Sequence, residues 1–91
     1  MAKVEDAAAL AQTSLARALP RRWRHVQSVA SRAGRVAKAL CLPEDLVAAA
    51  WLHDIGYAPE LVETGFHPLD GARYLRRLGT DRRVVSLVAY H

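Results

Sequence analysis

A helix-favouring apolar run, Ala48-Ala49-Ala50-Trp51-Leu52, ends on a histidine and a carboxylate side by side, His53-Asp54, and is followed at once by Ile55-Gly56-Tyr57. Counted back at helical spacing, His53 falls in register with Leu46 and Ala50, and Asp54 with Val47 and Trp51. Both polar groups therefore point toward a core. A carboxylate on an apolar face is costly unless it is paired, protonated or bound to a metal, and no adjacent residue offers Asp54 a partner. The partner this pattern asks for is an ion.

The rest of the chain limits what can surround that pair. Its 91 residues suit one domain with a small core, 1–91, and a composition 52% hydrophobic and 24% charged is that of a globular chain. No alternating stretch and no Asn-Gly hairpin signal is present, so the expected class is all-α. The formal charge of +4 comes largely from Arg, 11 of the 13 basic residues, which permits phosphate or nucleic-acid contacts without demonstrating them. The single cysteine, Cys41, has no intramolecular disulfide partner, and Glu5 and Asp6 stand where a signal peptide would need an apolar run. A reducing cytoplasm is expected. No run approaches the roughly 20 apolar residues of a membrane span, so no membrane association is expected.

Taken in order, Ala7, Leu10, Ala11, Leu15 and Ala18 mark a packing helix over about Val4–Leu19, closed by Pro20. Arg21-Arg22-Trp23-Arg24 opens a second helix to about Leu40, with Val26, Val29, Ala30, Ala33, Val36, Ala37 and Leu40 on one face and His25 at its edge. Pro43, at a first helical position, then Glu44 and Asp45 start a third helix expected to reach about Ile55, with Gly56 as its stop. Adjacent helical side chains diverge by about 100°, so His53 and Asp54 reach one ion only where it lies between them or where the helix end loosens. After a single turn over Glu60–Glu63, His67-Pro68 begins a helix with the stripe Leu69, Ala72, Leu75 and Leu78. Asp70, Arg73, Arg76 and Arg77 fall on its other, solvated side. Gly79 ends that helix, and Thr80 is expected to cap a last one carrying Val84, Leu87 and Val88 up to His91.

All four histidines, His25, His53, His67 and His91, thus lie at helix ends or core-facing positions, a distribution hard to assign to packing. Imidazole and carboxylate suit a divalent ion such as Mn, Fe, Zn or Mg, whereas one cysteine provides no thiolate cluster for a structural zinc. An open, hydrolytic metal site is the reading that follows.

The pieces Arg24-His25-Val26, His53-Asp54-Ile55-Gly56, His67-Pro68-Leu69-Asp70-Gly71-Ala72 and Tyr90-His91, in that order and spacing, resemble the HD-domain metal-dependent phosphohydrolases of the HDIG type. The resemblance covers about Leu19 to His91. It implies an HD-like helical bundle in which His25, His53 and Asp54 are ligands of a first metal, while His67 and His91 help hold a second ion or contact the substrate phosphate. Asp54 would also accept the proton of the attacking water. The family's further aspartate, on a helix after the last histidine, has no counterpart up to His91, and Asp70 and Asp81 precede that histidine. The domain is therefore expected to be incomplete at its C-terminus, leaving an apolar groove that a second copy could cover as a homodimer.

The implied activity is hydrolysis of a phosphate ester of a nucleotide or another small phosphorylated substrate, with a divalent cofactor drawn from Mn, Fe, Zn, Mg, Co and Ni. Arg21, Arg22, Arg24 and Arg73 are the candidates to meet phosphoryl charge. The alternative is a non-catalytic module of the same fold that binds a metal or a nucleotide and regulates. A third reading, the weakest, takes Arg21 to Arg24 as an RNA contact, and nucleic acid is not the expected partner.

Overall fold

The computed structural model describes residues 3–91. Among them are five α-helices, α1 (Lys3–Leu15), α2 (Pro20–Leu40), α3 (Glu44–Leu52), α4 (His67–Arg77) and α5 (Arg82–Ala89), with 3-10 turns at Ile55–Tyr57 and Pro59–Leu61. The all-α bundle expected from the helical stripes is the observed class. No described helix is long and apolar enough to cross a membrane.

Proline sets two of the helix starts. Pro20 does not close α1; it is the first residue of α2, where its fixed φ suits the helix and its missing N–H costs nothing. The chain makes the change of direction in the turn after Leu15. Pro68 plays the same part at the start of α4. The last helix is capped by Asp81, not Thr80: the Asp81 carboxylate accepts from the Arg83 backbone N–H at 2.8 Å. Asp81 is also the better cap by residue type, and the chain turns before it at Gly79, whose φ is +77°.

The short helix α3 is the centre of the bundle, packed by α1, α2 and α5. Its buried residues Ala48, Ala49 and Leu52 are small enough for the neighbouring helices to approach closely, and they join Ala7, Ala11 and Leu15 of α1, Val26 of α2, Leu75 of α4, and Val84 and Val88 of α5 in one core. Trp23 and Trp51 meet at its edge with ring centroids 5.7 Å apart. Lys3 pairs with Asp45 and, at 3.4 Å, with Asp81, tying the start of α1 to α3 and α5.

Two expected faces differ from the observed ones. On α4 only Ala72 and Leu75 of the expected stripe are buried, while Leu69 and Leu78 are exposed; Asp70, read as solvated, is 0% exposed. The helix is rotated toward the rest of the fold by the close approach of its first two turns to the Ile55–Tyr57 turn, described below. On α2, Val26, Ala30 and Ala37 are buried but Val36 and Leu40 are exposed. Val36, with Val29, Ala33, Leu46, Leu87 and Tyr90, walls an open apolar groove of about 750 Å³ between α2, α3 and α5.

Candidate metal centre

At the end of α3 the backbone changes geometry just where the His-Asp pair sits. His53 still has helical angles, but Asp54 lies at φ −108°, ψ 6°, in the sparsely populated bridge region, before the 3-10 turn begins. This break brings together two side chains that a continuous helix would splay apart, and the His53 Nε2 lies 3.3 Å from the Asp54 Oδ2. The helix end does loosen, but two residues before Gly56. Gly56 is not a left-handed stop; the positive-φ glycines are Gly65 and Gly79. Gly56 instead packs flush on α4. A Cβ there would overlap the His67 carbonyl oxygen and lie 2.8 Å from the Gly71 backbone N, and a Cβ on Gly71 would in turn stand 3.2 Å from the Gly56 N. Two glycines face to face let His67 come up to Asp54.

The Asp54 side chain is 5% exposed, and its two oxygens face different histidines. Oδ2 has His53 Nε2 at 3.3 Å and His25 Nε2 at 3.9 Å. Oδ1 has His67 Nε2 at 3.5 Å and His91 Nε2 at 3.9 Å, and those two nitrogens are 3.2 Å from each other. The candidate ligand atoms form two groups, His25-His53-Asp54 and Asp54-His67-His91, each with all its atoms within 4.8 Å of one another. Ligands about 2.0–2.2 Å from an ion lie roughly 3–4.3 Å apart, so the Asp54-to-histidine spacings and the His67–His91 spacing suit a shared ion in each group.

Two of the rings are locked in the tautomer a ligand needs. The Nδ1–H of His53 donates to the Ala50 carbonyl at 2.6 Å, and that of His91 to the Val88 carbonyl at 2.7 Å. Each Nε2 is thereby left unprotonated on the side of the cluster, the usual outer-shell arrangement for a metal-binding histidine. Burial lowers the pKa of His67; the Asp54 carboxylate pulls the other way, and His91, Arg22 and His53 add to the lowering, so the ring stays neutral to lower pH than a free histidine. His25 is the most open of the four, with a side chain 56% exposed.

The cation already beside Asp54 is Arg22, which donates from Nη1 to Oδ2 at 3.3 Å. The carboxylate thus has a protein partner, though one 32 residues away in sequence, beyond the reach of a reading confined to its neighbours. Arg21, Arg24 and Arg73 are exposed and make no ion pair among the described residues. Tyr57, to which the sequence reading assigned no role, also belongs to the site: it stacks on His67 with centroids 4.0 Å apart at 19°, and the Arg22 guanidinium lies 3.7 Å over the Tyr57 ring centre. An aromatic three residues after the aspartate was the available signal.

Asp70 does different work. Its buried carboxylate accepts from the backbone N–H groups of Glu63, Thr64 and Gly65 and from the Thr64 hydroxyl at 2.8–3.2 Å, fixing the loop that delivers His67. Desolvation pushes its pKa up, but these donors together outweigh it and hold Asp70 below the usual carboxylate value.

The family model for the HD domain matches residues 22–91, from Arg22 to His91. The chain belongs to the HD domain family. It is also 46% identical over 68 residues to a tRNA (cytidine(56)-2'-O)-methyltransferase of Thermoplasma volcanium, a match covering 74% of this chain and 20% of that protein. The chain thus spans about a fifth of the length of that relative. No solved structure matches it. Within this HD domain the four histidines and Asp54 are one cluster, and their His/Asp groups could hold a metal ion.

Proposed function

We propose that this HD domain is a metal-dependent phosphohydrolase acting on a phosphate ester of a nucleotide or another small phosphorylated substrate. The observation that carries the reading is the division of Asp54, one buried carboxylate whose two oxygens face two separate histidine pairs. A bridging carboxylate between two imidazole pairs is a donor set for two divalent ions. When bound, such ions would supply the positive charge that polarises a phosphoryl group and lowers the pKa of a water molecule.

In this reading His25, His53 and Asp54 would hold one ion, and Asp54, His67 and His91 the other. The Ala50 and Val88 carbonyls fix the ring orientation of His53 and His91, so neither imidazole has to reorganise on binding. Asp54 would also accept the proton of an attacking water. The borderline and hard character of the donors favours Mn, Fe, Co, Ni, Zn or Mg over a thiophilic metal.

Metal analysis of the purified protein, joined to a phosphatase screen with each of these ions added, tests the reading. Bound metal and metal-dependent phosphate release are expected. A protein that takes up no metal would overturn it.

One observation favours a second reading. In the Thermoplasma volcanium protein the matched region is a fifth of a chain named for a tRNA methyl transfer. An HD unit joined to another activity fits a regulatory module that binds a metal or a nucleotide without turnover. Saturable nucleotide binding by calorimetry, with metal bound and no hydrolysis, would select it.

A further inference from the structure

Arg22 is the one arginine of the four candidates that the fold holds rigidly at the centre. Its guanidinium is clamped between the face of Tyr57 at 3.7 Å and the Asp54 carboxylate at 3.3 Å, and Tyr57 is itself backed by His67. One N–H is used on Asp54; among the described residues the other donors have no acceptor within hydrogen-bond range. The side chain is 38% exposed and lines, with Arg21 and His25, a cleft of about 580 Å³ that opens beside the first histidine group. A guanidinium with free donors, fixed at the rim of a histidine-carboxylate cluster and lining a basic cleft, is suited to bind an oxyanion.

Resting on the phosphohydrolase reading above, we propose that Arg22 grips the phosphoryl oxygens of the substrate and that Tyr57 is the residue that positions it. Arg suits the task because its fork presents parallel N–H donors to two oxygens of one phosphate, which a lysine cannot do. The Tyr57 face holds the fork by cation–π attraction, so little side-chain freedom is left to lose on binding. Arg21 lines the same cleft without an anchor. The substrate's phosphate therefore lies in the cleft at the start of α2, a space separate from the apolar groove bordered by His53 and His91.

The test uses inorganic phosphate as the probe. Each protein is first loaded with Mn and its metal content measured, then titrated with phosphate by calorimetry. Arg22→Gln is expected to keep its metal and lose roughly 10- to 100-fold in phosphate affinity, the size of one charge-assisted hydrogen bond. Arg22→Lys should recover only part of it. Tyr57→Leu should weaken phosphate binding several-fold, and Tyr57→Phe, which keeps the ring face, should bind like the parent protein. Equal phosphate affinity for Arg22→Gln and the parent at equal metal content would overturn the proposal, as would loss of metal in Arg22→Gln, which would place Arg22 in support of the ion instead. An unchanged Tyr57→Leu would remove Tyr57 from it. A parent protein that binds no metal would fail the phosphohydrolase reading itself, and this inference with it, a result distinct from all the others.

Discussion

Gly56 lies against the carbonyl of His67 so closely that no side chain fits between them. The contact joins the turn that carries Asp54 to the helix that begins with His67, and it involves backbone on both sides, so neither can swing away. Gly56→Ala should therefore cost about 1–3 kcal/mol, the usual range for forcing a methyl group into filled space. The loss should fall on the second group of ligands. Urea unfolding gives the first quantity. Metal titration gives the second, with the variant binding one ion fewer than the parent protein. A variant of parental stability would show that α4 can move, and that the glycine pair does not set the site.

Asp54→Ala separates the metal role from a structural one. Removing a buried carboxylate is severe when the cation left behind is also buried, but Arg22 is 38% exposed and can return to water. The apo protein should change by no more than about 1 kcal/mol, because the cation left behind is the solvent-accessible member of the pair. Metal binding should be abolished, because both groups of ligands lose their common member. Denaturation of the apo protein beside metal analysis of the same preparation checks both statements. Retained metal would show that the histidines suffice.

Asp70→Ala strips four donors of their acceptor in the loop before α4. A drop of several degrees in melting temperature is expected, with His67 exchange-broadened in NMR spectra. Asp70→Asn should fall between, since an amide oxygen accepts from fewer of these donors. Acid should mimic the change: the Asp70 pKa is depressed, so its contribution is present above the ordinary carboxylate value and is lost as pH falls through the lower, folded one.

What the sequence revealed, and what it concealed, divides along one line. Helix punctuation by Pro43, Pro68 and Gly79 is local chemistry, and it located those helix ends to within a few residues, whereas Pro20 marked a boundary but was read as a stop where it is a start. The gathering of His25, His53, His67 and His91 about Asp54 could be expected because the residue types are few and their chemistry is shared. Partners distant in sequence were not legible. Arg22 reaches Asp54 and Tyr57 through the approach of α2 to the end of α3, and Tyr57 reaches His67 through the packing of the Ile55–Tyr57 turn on α4, which no periodicity encodes. Asp70 misled for a related reason. Its helical register places it opposite the apolar stripe, yet the preceding loop folds back over it and converts a solvated position into a buried acceptor.

The pH dependence of the centre follows from His67. Burial depresses its pKa below 6.5, so on acidification the unfolded chain takes up this proton before the folded one does. Its contribution to stability is complete above about pH 6.5, the ordinary value, and is lost as pH falls through the folded value. Stability of the metal-free protein, followed by urea midpoint from pH 8 to pH 5, should decline across this window. His67→Gln should decline less, having no proton to accept. Metal should leave over an overlapping range, because each imidazole must be unprotonated to coordinate. With metal present the midpoint should therefore fall more steeply with acid than without it, since the ion stabilises only the folded state and is displaced by protons. Identical pH profiles for the parent protein and His67→Gln, with and without metal, would show that the ring carries neither the proton linkage nor the ion.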